Sequence, residues 1–125
     1  MSQKYCILIA DDESLNHLYY REILDDNTYD IIFAENGIEA ISSFKEHKDK
    51  INLILMDMKM PDMDGFTATA EIRTFDIKIP IIAQTAYAYR DDYQKALDAG
   101  CNDYISKPIH EEELNEKIKK LLGIE

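Results

Sequence analysis

The sequence predicts one doubly wound α/β domain, in which a parallel five-stranded sheet carries helices on both faces. The chain has 125 residues, the length of one ordinary domain. Short apolar runs alternate five times with segments of helical period, which is typical of βα units. The first run, Tyr5–Ala10, is apolar throughout, as in a strand that is buried on both faces. We therefore expect a single domain over residues 1–125.

The first βα unit ends its strand at an acidic pair, Asp11-Asp12. Apolar residues then recur at helical spacing, which predicts the first helix. They are Leu15, Leu18, Tyr19 and Ile23. A second strand is predicted over 30–34, where the apolar run resumes.

The second helix begins at a capping signal. Asn36, followed three residues later by Glu39, resembles a capping box. The predicted buried face of this helix consists of Ile38, Ile41 and Phe44. The third strand is predicted over 51–56 and ends at Asp57.

The second half of the chain continues the alternation. Residues 66–75 fit both a helix and an alternating strand, and their length and position favour a helix. A fourth strand is predicted over 79–84, a helix over 91–99 and a fifth strand over 103–106. The last helix opens with acidic residues and closes with lysines, which complements the helix dipole. Its apolar face consists of Leu114, Ile118, Leu121 and Leu122.

The charge balance excludes several classes of partner. There are 25 acidic and 14 basic side chains, giving a formal net charge of -11, and no run of Lys or Arg. We therefore expect no direct nucleic-acid binding. No apolar stretch approaches the ~18 residues of a membrane span, so we expect no membrane insertion of this domain. The first apolar run is too short for a signal peptide, and two cysteines without metal-ligand spacing indicate reduced thiols, so the expected location is cytoplasmic.

Acidic side chains follow two strands that we expect to be neighbours. Ligand sites in open α/β sheets form beyond the carboxyl ends of the strands. With the strands in the order 2-1-3-4-5, Asp11 and Asp12 after the first strand lie beside Asp57 after the third. Thr85 follows the fourth strand and Lys107 follows the fifth, so both would lie on the far side of the same cleft.

Three carboxylates in one cleft repel each other and favour a bound cation. Oxygen ligands select a hard ion, and partial coordination by water favours Mg²⁺. A divalent ion that faces a lysine makes a place for a phosphoryl group, and a carboxylate there can become an aspartyl phosphate. Asp57 is the predicted nucleophile because it stands alone on a central strand, whereas the paired Asp11 and Asp12 are predicted metal ligands. Lys107 would neutralise the phosphoryl oxygens, and Thr85 would donate a hydrogen bond.

These residues occur in motifs that resemble one known family. The motifs are Asp11-Asp12, the segment 56–65 (MDMKMPDMDG), Thr85-Ala86 and the segment 104–108 (YISKP). Together they are similar to the receiver domain of two-component response regulators, of the chemotaxis-regulator type. The match runs from one end of the chain to the other, and it implies a flavodoxin-like fold.

The resemblance implies a role for each matched residue. Asp57 would accept a phosphoryl group from a phosphohistidine on a histidine kinase or a histidine phosphotransfer protein. Mg²⁺ would be held by Asp12, Asp57 and the backbone carbonyl of Lys59, with Asp11 assisting through water. Lys107 would pair with the phosphoryl group.

The resemblance also implies a switch. Thr85 would swing toward the phosphoryl oxygen, and Tyr104 would rotate inward behind it. The output would be a changed surface on the fourth helix, the fifth strand and the fifth helix, which also allows a phosphorylation-dependent dimer. The Lys107-Pro108 bond is expected to be cis. Such a domain catalyses its own phosphotransfer and a slow autodephosphorylation, and is not a turnover enzyme.

Two positions are expected to set the lifetime of the phosphorylated state. In the family that the chain resembles, the residue two past the acceptor and the residue two past the switch threonine tune hydrolysis. Here they are Lys59 and Tyr87, and both are bulky. We expect them to obstruct the attacking water, so that replacing both with small residues speeds the loss of phosphate.

The sequence leaves two other interpretations of the acidic residues open. Asp62, Asp64, Gly65 and Glu71 fit positions 3, 5, 6 and 12 of a calcium-binding loop, although Met60 stands at position 1. An aspartate-nucleophile phosphatase would need a carboxylate two residues after Asp57, where Lys59 stands. The segment 80–88 resembles receivers of hybrid sensor kinases, so we expect a domain excised from such a kinase, with a free-standing receiver as the alternative.

Overall fold

The computed structural model describes residues 4–86 and 90–124, and these residues form alternating strands and helices. The elements are β1 Tyr5–Ala10, α1 Ser14–Ile23, β2 Tyr29–Ala34, α2 Gly37–Glu46, β3 Ile51–Asp57, α3 Gly65–Arg73, β4 Ile81–Thr85, α4 Arg90–Ala99, β5 Asp103–Ser106 and α5 Glu111–Leu122. The alternation that the sequence predicts is confirmed, and the segment of ambiguous period is helix α3. β4 begins only after Pro80, which has no N–H to donate to a ladder; its carbonyl accepts from Ile54 at 2.9 Å.

The five strands form one sheet in the order β2-β1-β3-β4-β5, with every neighbouring pair parallel. This is the predicted order, and it makes β1 and β3 neighbours at the centre. The carboxyl ends of all five strands therefore meet along one edge of the sheet. The functional side chains predicted from the sequence belong to that edge.

Side chains alternate between two cores, one on each face of the sheet. The core beneath α1 and α5 includes Tyr20, Leu114 and Ile118 from those helices. The core beneath α2, α3 and α4 includes Phe44, Ile72 and Ala96, together with both cysteines. Cys6 and Cys101 are free, buried thiols, and burial raises the pKa of Cys101 to about 11. The predicted apolar face of α5 is confirmed.

The predicted buried face of α2 needs correction, and two of the residues whose spacing predicts α1 are exposed. In α2 the predicted Phe44 is buried and Ile41 packs partly buried against the core, but Ile38 is 54% exposed, and Gly37 and Ala40 are the other buried positions. In α1, Leu15 and Leu18 are exposed, while Tyr20 is buried in their place. Each of these helices has apolar residues on more than one side, so the sequence pattern alone does not show which side packs against the sheet.

The capping box at the start of α2 is present. Asn36 Oδ1 accepts a hydrogen bond from the Glu39 N–H at 2.8 Å. The Glu39 carboxylate accepts in return from the N–H of Glu35 at 3.2 Å, one residue before the cap. Over the described residues, no helix is long and apolar enough to cross a membrane.

Candidate functional site

Four side chains project to the α1/α5 face along the carboxyl edge of the sheet. Leu53 and Leu55 lie in the α1/α5 core, so Asp57, two residues further along β3, leaves the sheet on the same side. The same alternation brings Asp11 after β1, Gln84 on β4 and Lys107 after β5 to this face. In the register of the sheet Ala10 is opposite Met56, and Asp57 is opposite Gln84.

Asp57 is buried, with 3% of its surface exposed. Its Oδ2 accepts a hydrogen bond from Lys107 Nζ at 2.8 Å, and its Oδ1 accepts from the Lys59 N–H at 3.1 Å. Burial raises the pKa of Asp57, and the charge of Asp11 adds to that effect; the contacts with Lys107 and Lys59 oppose it without cancelling it. The carboxylate is therefore held in a place that disfavours its charge.

Asp11 is fully buried and is fixed by residues at the start of α1 and just before it. Its Oδ1 accepts from the Glu13 N–H at 2.9 Å, and its Oδ2 accepts from Asn16 Nδ2 at 3.0 Å. Its backbone carbonyl lies 2.6 Å from His17 Nε2. Lys107 Nζ is 3.8 Å from Asp11 Oδ2, so one ammonium faces two carboxylates.

Lys107 balances part of the negative charge of the site. Burial lowers its pKa, but the hydrogen bond and charge of Asp57, with the charge of Asp11, outweigh burial and leave the pKa raised. The lysine is therefore held as a cation beside the two acids. Its bond to Pro108 is cis, as expected.

The three acids form a potential cation site. Asp11, Asp12 and Asp57 each offer a carboxylate oxygen within 4.8 Å of the others, and Asp12 is exposed. These three acids are the one group of three or more potential metal ligands found in residues 4–86 and 90–124. An all-oxygen set with uncompensated charge fits a hard divalent cation such as Mg²⁺. The bond from the Lys59 N–H places the backbone of Lys59 beside the same cluster.

Thr85 and Tyr104 lie on the two strands beyond Asp57. Thr85 is the last residue of β4, is 8% exposed, and follows Gln84, the residue opposite Asp57. The Tyr104 ring on β5 is partly buried; its centroid is 4.3 Å from that of Tyr93 on α4. Lys107 and Thr85 therefore reach the edge from adjacent strands. Tyr87 lies outside the described residues.

The loop between β3 and α3 is held at both of its ends. The Gly65 N–H donates to the Met58 carbonyl at 3.1 Å, and the Gly37 N–H of α2 donates to the Met63 carbonyl at 2.9 Å. A Cβ atom on Gly65 would clash with the carbonyl oxygen of Asp57, and one on Gly37 would lie 2.6 Å from that of Met63. Both helix starts therefore need glycine to approach the loop this closely.

The same loop argues against a calcium site. Asp64 Oδ1 accepts from the Thr67 N–H at 2.8 Å and caps α3, and Glu71 lies on that helix. A strand rather than a helix precedes the loop. Within the described part of the chain, Asp62, Asp64 and Glu71 form no group of metal ligands.

A groove opens beside Lys107, between α1 and the segment after β5. It has a volume of about 320 Å³ and includes Tyr19, Pro108 and Ile109 in its lining. The Tyr19 hydroxyl donates to the Ile109 carbonyl at 2.6 Å, which ties α1 to this segment. On the exposed face of α1, Leu15 and Leu18 are 77% and 65% exposed. An apolar surface thus lies next to the acidic cluster.

Sequence reasoning missed four residues around the site: Asn16, His17, Tyr20 and Gln84. Asn16 and His17 contact Asp11, and His17 is partly buried and stacks on Phe33 with ring centroids 4.2 Å apart. Tyr20 and Gln84 are bonded to each other in the core. The only available signal was the presence of Gln84 at the end of an otherwise apolar run, 81–84.

Comparison with known families gives a match over most of the chain. The family model of the response regulator receiver domain matches residues 7–119. The polar-differentiation response regulator DivK of Brucella anthropi is 36% identical over 94% of this chain and 95% of its own length. Hybrid signal transduction histidine kinase I of Dictyostelium discoideum is 38% identical over 90% of this chain, which covers 7% of that protein.

Solved structures with the same fold include one receiver domain with a bound magnesium ion and one in complex with a protein. The receiver domain of a sensor histidine kinase from Pseudomonas aeruginosa, with magnesium coordinated in its active-site cleft, has a TM-score of 0.87 and 33% identity, covering 97% of this chain and 99% of that chain. The receiver domain of Ssk1 from Saccharomyces cerevisiae, in complex with the histidine phosphotransfer protein Ypd1, has a TM-score of 0.87 and 32% identity. That match covers 94% of this chain and 88% of the other.

Proposed function

Because the chain belongs to the response regulator receiver family of two-component signalling, we propose that Asp57 accepts a phosphoryl group from a phosphohistidine of a partner protein. The observation that carries this proposal is the buried Asp57 carboxylate, bonded to Lys107 and facing Asp11 and Asp12. A carboxylate in this setting is both poised as a nucleophile and surrounded by groups that bind a dianion or its counterion.

In the proposed reaction an Asp57 carboxylate oxygen attacks phosphorus. An O–P bond forms and the N–P bond to the partner's imidazole breaks, and the imidazole leaves with the electron pair and takes up a proton. The Lys107 ammonium, already 2.8 Å from Asp57 Oδ2, pairs with the phosphoryl oxygens as the phosphoryl group is transferred to Asp57. The domain thereby catalyses its own phosphorylation and a slow loss of phosphate, without acting as a turnover enzyme.

Asp12, Asp57 and the backbone carbonyl of Lys59 would hold Mg²⁺, with Asp11 assisting through water. Exposed Asp12 is free to turn toward an ion, whereas buried Asp11 is fixed by Asn16 and Glu13. When bound, Mg²⁺ neutralises the carboxylates and the phosphoryl oxygens together. The support for this assignment is the fit of an all-oxygen, strongly negative ligand set to a hard ion.

The output of phosphorylation is a change on the α4–β5–α5 surface. Thr85 ends the strand next to Asp57, so its hydroxyl is the group that would follow the phosphoryl oxygen. Tyr104 packs against Tyr93 of α4, and Lys117 Nζ of α5 lies 5.8 Å from the Tyr104 ring. A rotation of this ring would therefore alter contacts with both helices, and the altered surface would bind a target or a second copy.

The phosphoryl donor is a histidine kinase or a histidine phosphotransfer domain that docks on α1. Leu15 and Leu18 offer an apolar face, and the groove beside Tyr19 leads to Lys107. The complex of a yeast receiver with a phosphotransfer protein, of similar fold, supports a donor of this class.

The test is phosphorylation by a small phosphodonor, acetyl phosphate, with Mg²⁺. We expect a mass increase of one phosphoryl group, mapped to Asp57 and absent from Asp57→Asn. Continuous release of phosphate far beyond one equivalent per chain would instead indicate a phosphatase. Phosphate found on another residue, or none with the unmutated chain, would contradict the proposal.

A further inference from the structure

A buried polar pair lies beneath the acidic cluster. The Tyr20 hydroxyl on α1 donates a hydrogen bond to Oε1 of Gln84 on β4, and the two side chains are 1% and 0% exposed. The pair joins residues that are 64 positions apart. Replacing two bonded polar groups with apolar ones of the same shape is often neutral or stabilising, so their presence in a core indicates a role other than packing.

Gln84 is the direct neighbour of the phosphoacceptor in the sheet. The register of β3 and β4 places Gln84 opposite Asp57, and both side chains project to the α1/α5 face. Ile105 on β5 lies on the other side of Gln84, and it offers no polar side chain. Of the two side chains in register with Gln84, that of Asp57 is therefore the polar one, and Tyr20 reaches Gln84 from α1.

The amide of Gln84 has a donor group without an acceptor. Nε2 is buried and has no hydrogen-bond partner among the described residues. Oε1 accepts the hydrogen bond from the Tyr20 hydroxyl, which leaves Nε2 as the group of this amide without a partner. Burial raises the pKa of the Tyr20 hydroxyl, and the charges of Asp11 and Asp57 raise it further, which places this hydroxyl in the field of both acids. Because Gln84 lies opposite Asp57 in the sheet, its free donor is on the strand next to a buried carboxylate.

We propose that Gln84 is a positioning residue for Asp57, held in place by Tyr20, and that its Nε2 donates to the Asp57 carboxylate when Lys107 turns to the phosphoryl group. In the present structure Lys107 is bonded to Asp57 Oδ2. Pairing of Lys107 with an incoming phosphoryl group weakens that bond, and the Gln84 amide is the buried donor on the next strand that can replace it. This inference rests on the proposed function.

Two substitutions and their combination test this role. Gln84→Met keeps the length of the side chain and removes the amide, and Tyr20→Phe removes only the hydroxyl that holds it. Each variant is phosphorylated with acetyl phosphate at saturating Mg²⁺, and its melting temperature and its affinity for Mg²⁺ are measured separately. The double variant has neither polar group, so its melting temperature should recover relative to the single variants.

We expect Gln84→Met to be phosphorylated about tenfold more slowly than the unmutated chain, with little change in Mg²⁺ affinity, since Gln84 supplies no metal ligand. Tyr20→Phe should show a smaller loss of about threefold, because the amide remains but is no longer held. The double variant should react as slowly as Gln84→Met despite its recovered stability, because Tyr20 acts only through Gln84.

Three outcomes would contradict the inference. The rate in the double variant could recover together with its melting temperature, which would make the pair purely structural. All variants could react like the unmutated chain, or Mg²⁺ affinity could fall in parallel with the rate. If the unmutated chain itself takes no phosphate, the proposed function fails first, and this result is distinct from a failure confined to the variants.

Discussion

Two adjacent acids, Asp11 and Asp12, have opposite environments. Asp11 is fully buried and bonded to Glu13 and Asn16, whereas Asp12 is exposed. A buried, hydrogen-bonded acid has a fixed position, whereas an exposed acid has room to turn an oxygen toward an ion, so the two are suited to different roles. The sequence predicts both as ligands because it shows an acidic pair, and only the fold shows which of them α1 covers.

Asp76 performs a structural role in the turn before β4. Its Oδ1 accepts hydrogen bonds from the N–H groups of Lys78 and Ile79, at 2.8 and 2.9 Å. Burial acts to raise its pKa, but these two bonds, with the charges of Lys48 and Arg73, outweigh burial and lower the pKa. A carboxyl with a lowered pKa in the folded state stabilises the fold when ionised.

We predict that Asp76→Asn lowers the free energy of unfolding by about 1 kcal/mol at pH 7, because the hydrogen bonds lose their charge. The stabilisation by Asp76 is present above its unfolded pKa of ~3.9 and is lost as the pH falls through the lower folded value. Urea unfolding at a series of pH values from neutral to acid measures this. The gap between the two proteins should begin to narrow below about pH 4 and close only below the folded pKa of Asp76, and an equal gap at every pH would contradict the assignment.

At the scale of single elements, α1 is the helix that joins the site to its surroundings. Its buried face carries Tyr20 into the core, its start holds Asp11 through Asn16, and its exposed face presents Leu15 and Leu18. Periodicity predicts the helix correctly but leaves its rotation about its axis open, because apolar residues lie on more than one side. The exposed leucines are the side that a binding partner can cover.

We predict that the double variant Leu15→Ser, Leu18→Ser slows phosphotransfer from a histidine phosphotransfer domain at least tenfold. Burying one leucine stabilises a contact by ~1.5–3 kcal/mol, and a tenfold change corresponds to about 1.4 kcal/mol. Rates of transfer from the phosphorylated donor measure this effect. Phosphorylation by acetyl phosphate should be unchanged, because the leucines do not reach Asp57.

A matched control for this variant is Ile77→Ser. Ile77 is 81% exposed and precedes β4, so it lies at the opposite edge of the sheet from Asp57. It should affect neither reaction. An equal loss of transfer in the control, or no loss in the α1 variant, would show that α1 does not bind the donor.

At the scale of the whole molecule, the fold and most of the site follow from a general property of parallel sheets. Strand ends converge on one edge, so the acids after β1 and β3 and the lysine after β5 could be brought together before any contact was known. The Tyr20–Gln84 pair could not be predicted in this way, because a bond between two core residues far apart in the chain leaves no local pattern. The exposed position of Ile38 was missed for a related reason, because tertiary packing determines which side of α2 is covered by α3 and the sheet.

We predict that Mg²⁺ raises the melting temperature of the unmutated chain. A ligand that binds only the folded state at about 100 times its Kd stabilises by ~2.7 kcal/mol, which is roughly 10 °C for a domain of this size. Thermal melts with EDTA and with Mg²⁺ measure this. Asp57→Asn should melt higher than the unmutated chain in EDTA, because it removes a buried charge that faces Asp11, and it should respond less to Mg²⁺. A melt of the unmutated chain that is insensitive to millimolar Mg²⁺ would count against the cation site.

The glycine contacts at the two ends of the β3–α3 loop have a consequence for engineering. The Gly65 N–H is bonded to the Met58 carbonyl, and the Gly37 N–H is bonded to the Met63 carbonyl. The starts of α3 and α2 therefore both hold this loop, and its length cannot change without moving one of them. Tags, epitopes or fluorescent insertions placed there would displace β3, which carries Asp57. The turn over 47–50, at the far rim of the sheet, is the position at which extra sequence should leave signalling intact.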